Sequence, residues 1–322
     1  MRFLGRCGRA FVALVWGATL APAIAQTAPQ VDVARLDYGL QARAVARDVY
    51  VVEGTNADFA VANGCNIINT GFIVTGAGVL VINTGPSRRY GEQLRALIRR
   101  TTNEPVLQVI HLNLHPDYFL GNQAFADVPR RATELTRAGM AREARGYEDN
   151  LFRLCGEWMK GTEAVLPDAP LAAGVQRIGT REIELRELKG HTASDLVLID
   201  RGSGVVFAGG LVFVQRVPTT PHADVAAWLQ SLRGLADLPM SVLVPSHGPV
   251  RNDAEGVAAT TRYLRWLDTT FRAAAERGLE MNEVLDIELP QEFRGWAART
   301  SEYTRNVAHL YPRYEQAVLG RR

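Results

Sequence analysis

The sequence predicts an α/β fold in which two β-sheets pack face to face and helices cover both outer faces, a four-layer αββα sandwich. Two features predict this arrangement. The chain contains two separate runs of short strands, and helical segments close each run. After Pro249 the pattern is helical only, which predicts a C-terminal helical extension packed on the same domain.

The first run contains short apolar stretches separated by glycine. Its predicted strands are 49–52, 66–74, 79–82 and 106–112. Ser87 is a good N-cap residue, and the helix that it starts has an apolar face. Residues 131–161 also have helical spacing, whereas residues 26–45 are expected to form a loosely held lead-in.

The second run repeats this scheme. Its predicted strands are 175–179, 182–188, 195–200, 204–208 and 241–244. A helix at 223–236 precedes the last of them, and the helices of the extension are expected at 255–277, near Glu280 and at 297–318. The large side chains expected to pack inside these last helices are Tyr263, Trp266, Phe271, Trp296 and His309.

The first 25 residues have the pattern of a secretory signal peptide. Three arginines precede an apolar stretch at 11–20, and Ala23-Ile24-Ala25 is a small-x-small cleavage site. The apolar stretch is shorter than the roughly 20 residues that span a bilayer, and no other stretch is long and apolar enough. We therefore expect a periplasmic protein, cleaved after Ala25, with no membrane span in its mature form. The expected division is a signal peptide at 1–25, the αββα domain at 26–250 and the helical extension at 251–322.

The charge balance gives no reason to expect a nucleic acid or an anionic membrane surface as a partner. The formal net charge is +2, and the three arginines of the first 25 residues exceed this surplus. Outside that segment the cysteines are Cys65 and Cys155. An exported chain permits a disulfide between them, and two separate buried thiols are the alternative.

The segment Asn113-Leu114-His115-Pro116-Asp117-Tyr118 is the most informative stretch of the chain. A predicted strand runs directly into it, so polar side chains at alternate positions converge at one end of a sheet. Imidazole and carboxylate groups are the ligands that zinc takes in proteins, together with thiolates. His115 and Asp117 are therefore candidate metal ligands, and Asp117 is also a candidate catalytic residue.

Three later segments place polar residues or glycine at the ends of other predicted strands. They are Gly190-His191-Thr192-Ala193-Ser194-Asp195, Phe207-Ala208-Gly209-Gly210-Leu211 and Pro245-Ser246-His247-Gly248. His191 and His247 are candidate ligands because they lie at strand ends, as His115 does. His222 lies further along the loop after the second segment, and it either faces the same cleft or simply stands at a helix N-terminus.

Over roughly residues 45–250, the order of these landmarks resembles the metallo-β-lactamase superfamily. The resemblance implies the αββα fold, and it implies metal-ligand positions at His115, Asp117, His191 and His247. It also implies three replaced ligands. Asn113 and Tyr118 occupy the first and last histidine positions of the motif His-x-His-x-Asp-His, and Gly210 replaces the aspartate that bridges two metals.

Four of the seven ligand positions keep a ligating residue, two for each metal site. A catalytic zinc generally has three protein ligands and one open position. The amide oxygen of Asn113 or a Tyr118 phenolate could add a ligand, whereas His111 lies roughly 6.6 Å back along the strand. Gly210 has no side chain and admits no local substitute. We therefore expect at most one zinc ion, shared by His115, His191, His247 and Asp117.

Three further stretches, at 82–91, 121–125 and 158–163, are similar to the exported metallohydrolases named for quinoprotein relay systems. This resemblance implies zinc-dependent hydrolysis of a small molecule. It also implies association with a periplasmic oxidation system built on quinoprotein dehydrogenases and c-type cytochromes.

Two functions follow as hypotheses. The first is a hydrolase with at most one metal that acts on a small ester or thioester-like substrate, with Asp117 orienting or deprotonating the water. The second is a non-catalytic, metal-free descendant that binds a small ligand or a partner protein in the same system. β-Lactamase activity is a weaker third hypothesis, because a fold alone does not define a substrate.

Overall fold

The computed structural model describes residues 30–320, so the predicted signal peptide and its cleavage site lie outside the described residues. Within that range the chain forms two β-sheets, which confirms the predicted α/β class. No helix in residues 30–320 is both long enough and apolar enough to cross a bilayer.

The first sheet has seven strands whose spatial order follows the chain. They are β1 (Arg43–Ala46), β2 (Val49–Val52), β3 (Thr70–Val74), β4 (Val79–Ile82), β5 (Val106–Ile110), β6 (Arg130–Ala132) and β7 (Ala169–Pro170). The first four pair antiparallel, and β4 to β7 pair parallel. The carboxyl ends of β4 and β5 therefore meet at one edge of the sheet. The loop that contains residues 113–118 starts from this edge.

The second sheet has five strands in the order β12-β11-β10-β9-β8. They are β8 (Gly174–Ile178), β9 (Arg181–Leu188), β10 (Asp195–Asp200), β11 (Val205–Phe207) and β12 (Val242–Val244). Only β11 and β12 pair parallel, and the other pairs are antiparallel.

Residues 30–320 contain seven α-helices, and the longer ones cover the outer faces of the sheets. The seven helices are α1 (Arg88–Thr101), α2 (Pro116–Phe119), α3 (Glu134–Cys155), α4 (Val225–Ala236), α5 (Glu255–Glu276), α6 (Met281–Leu285) and α7 (Arg299–Leu319). Ser87 caps α1 by accepting a hydrogen bond from the Tyr90 amide, as the sequence predicts. Asp224 caps α4 in the same way.

Successive side chains of one strand point to opposite faces of its sheet, and their contacts show the order of the four layers. In β4, Val81 packs in a cluster with residues of α1 and α3, and the next residue, Ile82, packs against the second sheet. In β10, Leu198 belongs to the cluster between the sheets, whereas Val197 packs with α4, α5 and α7. Both faces of each sheet are thus buried, and three apolar interfaces join four layers.

Three regions differ most from the sequence prediction. The lead-in is not loose throughout, because residues 43–46 pair with β2 and Tyr38 is fully buried. The predicted strand at 66–74 begins only at Thr70. The helix predicted within 131–161 begins at Glu134, because residues 130–132 pair with β5 as a strand.

Cys65 and Cys155 form a disulfide, so the first of the two alternatives holds. It joins the loop between β2 and β3 to the last residue of α3. Both cysteines are fully buried in the cluster between α3 and the first sheet.

Candidate functional site

The loop after β5, with the short helix α2, carries four of the predicted site residues: Asn113, His115, Asp117 and Tyr118. His115 is the N-cap residue of the short helix α2, and Pro116 occupies its first position, where a missing N–H costs nothing. The fully buried His111 donates from Nδ1 to the Tyr118 carbonyl (3.0 Å). This hydrogen bond joins the two ends of the loop. His111 therefore holds the backbone of this loop and does not replace Asn113 in the cleft.

Asn83, at the end of β4, holds the same loop from the other side. Its backbone is left-handed (φ 60°), a conformation that asparagine tolerates better than most residues. Its Oδ1 accepts a hydrogen bond from the Leu112 amide (3.0 Å). Asn83 thus positions the segment that carries Asn113.

Asn113 is fully buried and uses its whole amide within the protein. Oδ1 accepts from the His115 backbone N–H (3.1 Å), and Nδ2 donates to Asp195 Oδ1 (2.5 Å). Nδ2 also lies 3.3 Å from Nδ1 of His191 and 3.4 Å from the hydroxyl of Thr192. Because its oxygen is already engaged, Asn113 is not poised as a metal ligand.

His191 lies in the loop between β9 and β10, in the angle between two aromatic rings. Its centroid is 5.0 Å from that of Trp228 and 5.5 Å from that of Phe213. Gly190 permits this packing, because a Cβ there would lie 2.2 Å from the Trp228 Cα. Nε2 of His191 is 3.1 Å from the hydroxyl of Thr219, so both ring nitrogens face polar neighbours.

Asp117 and His247 form a direct pair at the opposite side of the cleft. Asp117 Oδ2 lies 3.1 Å from His247 Nε2, and the Ser246 hydroxyl lies 2.9 Å from His247 Nδ1. Burial, together with the charge of Arg216, lowers the pKa of His247 to about 4, so the ring is neutral at neutral pH. The single ring proton therefore belongs on Nε2, where the carboxylate accepts it.

His222 faces the cleft, which is the first of the two alternatives that the sequence leaves open. Its Nδ1 lies 3.1 Å from Nε2 of His115, and its Nε2 lies 3.8 Å from a carboxylate oxygen of Glu143. Burial and the neighbouring histidines push the pKa of His115 well below its ordinary value. Burial also lowers the pKa of His222, although Glu143 opposes this shift. Both rings are therefore neutral at neutral pH, and one donates a hydrogen bond to the other.

Gly210 lies in a tight turn after β11, where no side chain fits without rearrangement. A Cβ at this position would lie 2.1 Å from Nδ1 of His191 and under 3 Å from polar atoms of Asn113 and Asp195. The space next to the replaced bridging position is thus filled by the hydrogen-bonded group of Asn113, His191 and Asp195.

Tyr118 is buried beside the cleft, and its hydroxyl finds no hydrogen-bond partner in residues 30–320. Burial and the nearby carboxylates of Asp117 and Asp195 raise its pKa well above the ordinary value for a phenol. The hydroxyl is therefore protonated, and Tyr118 does not offer a phenolate to a metal.

The four predicted metal ligands lie near one another in one cleft. The rings of His115 and His191 have centroids 4.7 Å apart, and Asp117 contacts His247. Within the described residues, no three or more histidine, cysteine, aspartate or glutamate side chains are placed to hold one metal ion. As arranged, the residues do not fit a dinuclear centre, and they do not supply the three protein ligands of a catalytic zinc.

A pocket of about 270 Å³ opens beside these pairs. The loops contribute His115, Asp117 and His247, and α3 contributes Asn150, Arg153 and Leu154. The helix α7 closes the pocket with Glu302, Arg305 and His309. Much of the remaining wall is apolar, which is the usual character of a small-molecule site. The lining residues of this apolar part are Phe59, Ile67, Pro116 and Pro221.

Several residues of the site cannot be predicted from the sequence. Asp195 follows His191 by four residues at the start of β10, and only the fold shows that its carboxylate accepts from Asn113 and the Thr192 amide. Glu302 lies in a helix far along the chain from every landmark. His309, expected to be a packing residue, lines the pocket.

Comparison with known proteins agrees with this architecture. The sequence model of the metallo-β-lactamase superfamily matches residues 63–247. A solved metallo-β-lactamase from Pontibacter korlensis is 24% identical with a TM-score of 0.57, and the match covers 70% of this chain and 99% of that one. One from Hirschia baltica is 17% identical with a TM-score of 0.56, covering 70% and 97%. No curated protein matches the chain.

Since the family match spans more than half of the sequence, the chain belongs to the metallo-β-lactamase superfamily. The solved structures share its fold at low identity and do not define its chemistry.

Proposed function

We propose that this protein binds a small organic molecule in the pocket beside His115, Asp117 and His247, without the two-metal chemistry typical of this fold. The observation that carries the proposal is the pairing of the surviving ligands. Asp117 contacts His247, His115 contacts His222, and His191 contacts Asn113 and Thr219.

The free-energy cost of unpaired buried polar groups also supports a site that is stable without a metal. A buried polar group without a partner costs about 1–3 kcal/mol, so a metal site with no metal bound is normally costly. In this cleft the imidazole and carboxylate groups satisfy one another, and Asn113 and Thr219 complete His191. A bound metal would have to displace the proton that His247 shares with Asp117.

A hydrolase with at most one zinc ion is the second candidate. Asp117 Oδ2 and His247 Nε2 are 3.1 Å apart, close to the roughly 3.3 Å that separates two ligands of a tetrahedral zinc with bonds of about 2.0–2.1 Å. Both groups also line the pocket. In this reading Asp117 orients or deprotonates a water that attacks a small ester or thioester-like substrate.

The cellular setting is also part of the proposal. The predicted signal peptide and the Cys65–Cys155 disulfide both support export to the periplasm, because disulfides persist in oxidising compartments. The similarity of three sequence stretches to quinoprotein relay proteins supports a role beside a quinoprotein dehydrogenase or a c-type cytochrome.

Zinc titration of the chelator-treated mature protein separates the two candidates. For a metal-free binding protein we expect no saturable zinc binding in calorimetry, no rise in melting temperature with zinc, and no turnover of simple esters or thioesters. One equivalent of zinc, a higher melting temperature and ester turnover would instead establish the hydrolase. The double variant His115→Ala/His191→Ala is the control, because it must abolish any zinc effect that depends on the cleft.

A further inference from the structure

The helix α7 gives the pocket a polar wall made of three residues on one helical face. Glu302, Arg305 and His309 have the spacing i, i+3, i+7, which places side chains on one side of a helix. This helix lies outside residues 63–247, which match the superfamily model. The wall is therefore formed by the C-terminal extension and not by the metal-site loops.

Glu302 is fully buried, and its carboxylate is only half satisfied. Oε1 accepts hydrogen bonds from Arg305 (2.8 Å) and Arg216 (3.2 Å). Oε2 is buried and has no hydrogen-bond partner in residues 30–320. An unsatisfied buried carboxylate oxygen is costly, and a donor that arrives with a ligand would remove that cost.

His309 presents a second unused atom on the same wall. Its Nδ1 is buried and unpartnered within the described part of the chain. Other residues that line the pocket are apolar, among them Phe59, Ile67 and Leu154. The pocket therefore combines apolar side chains with polar groups from the loops, from α3 and from α7.

We infer that Glu302 is the specificity-determining residue of the pocket, and that it selects small, largely apolar molecules bearing a hydroxyl or amino group that donates to Oε2. Arg216 and Arg305 fix the carboxylate in place, and the apolar walls hold the body of the ligand. This inference rests on the proposed binding function and specifies its ligand class.

Three fragments of similar shape test this inference. Benzyl alcohol, benzylamine and toluene share one ring and differ in the hydrogen-bond donor. A hydrogen bond to a charged group predicts that at least one of the two donors binds about tenfold or more tightly than toluene. Affinities come from NMR titration of the isotope-labelled mature protein, in which the backbone signals of Glu302 and His309 must shift. The alcohol and the amine show which donor Oε2 accepts.

Glu302→Gln is the test variant, and Glu315→Gln is its matched control, the same change elsewhere on α7. The preference for donors must fall to about twofold or less in Glu302→Gln and persist in Glu315→Gln. If Glu302→Gln does not fold, the wild-type affinities and the positions of the shifted signals decide. Equal affinity for all three fragments would overturn the role of Glu302 and leave small-molecule binding intact. Failure of all three to bind would contradict both the inference and the binding function.

Discussion

Asn113 belongs to one hydrogen-bonded group with His191 and Asp195, and Gly210 lies next to this group. Asn113 donates to Asp195 beside the ring of His191, and Gly210 leaves the room that this group occupies. A larger side chain at position 210 would therefore meet His191, Asn113 and Asp195.

Gly210→Ala tests how tightly the neighbouring side chains pack around Gly210. We expect a loss of about 1–3 kcal/mol in the free energy of unfolding, because the new Cβ would meet His191 Nδ1 at 2.1 Å. Gly146→Ala is the control, since it lies in α3 with no atom within 4 Å of the new Cβ and should gain up to about 1 kcal/mol. Denaturant unfolding measures both. Equal stability of Gly210→Ala and wild type would show that the site is loosely packed.

His111 should make stability depend on pH. Burial lowers its pKa from 6.5 to about 4, so the folded protein holds this ring neutral where the unfolded chain protonates it. The contribution of His111 is therefore fully present above pH 6.5 and is lost as the pH falls towards 4. His111→Asn keeps a donor near the Tyr118 carbonyl and cannot titrate. Unfolding curves at several pH values should show a smaller loss of stability for the variant, and parallel losses would contradict the assignment.

At the scale of elements, the walls of the pocket come from distant parts of the chain. The Cys65–Cys155 disulfide ties the loop before β3 to α3, two residues from Ile67 and one from Leu154, which both line the pocket. The buried ion pair of Arg216 with Glu302 attaches α7 to the same region. The extension is thus linked to the cleft by buried charges as well as by apolar packing.

Removal of the disulfide should weaken this assembly. The bond closes a loop with a sequence separation of 90 residues, for which we expect a loss of roughly 2–5 kcal/mol in the double variant Cys65→Ala/Cys155→Ala. Chemical denaturation of the mature protein measures the change, and reduced wild-type protein should behave in the same way. A change below about half a kcal/mol would indicate that the two walls hold together without the bond.

The elements that the sequence predicts are those with strong local patterns. The strands β4, β5 and β10 are apolar runs, and α1 and α4 have a cap residue and one apolar face. The short strands β1, β6 and β7 escape prediction because they exist only through pairing with a neighbour. The site residues also fall into a predictable group and an unpredictable group. Loop residues are predictable from their order, whereas Glu302 and the exact partners of Asn113 depend on tertiary packing.

At the scale of the whole molecule, the chain has the fold of the metallo-β-lactamase superfamily. Three apolar interfaces hold four layers, and the strand ends still bring His115, Asp117, His191 and His247 to one cleft. The central claim is that each of these side chains already has a hydrogen-bond partner within the protein, so the cleft cannot hold the two ions of an intact relative.

Anomalous diffraction from crystals grown with zinc tests that claim most directly. Data collected at the zinc absorption edge locate every ordered zinc ion. The pairing of Asp117 with His247, and the filled space at Gly210, predict no more than one anomalous peak between the loops. Two peaks about 3.5–4 Å apart in the cleft, the separation of ions in two-metal hydrolases, would contradict it.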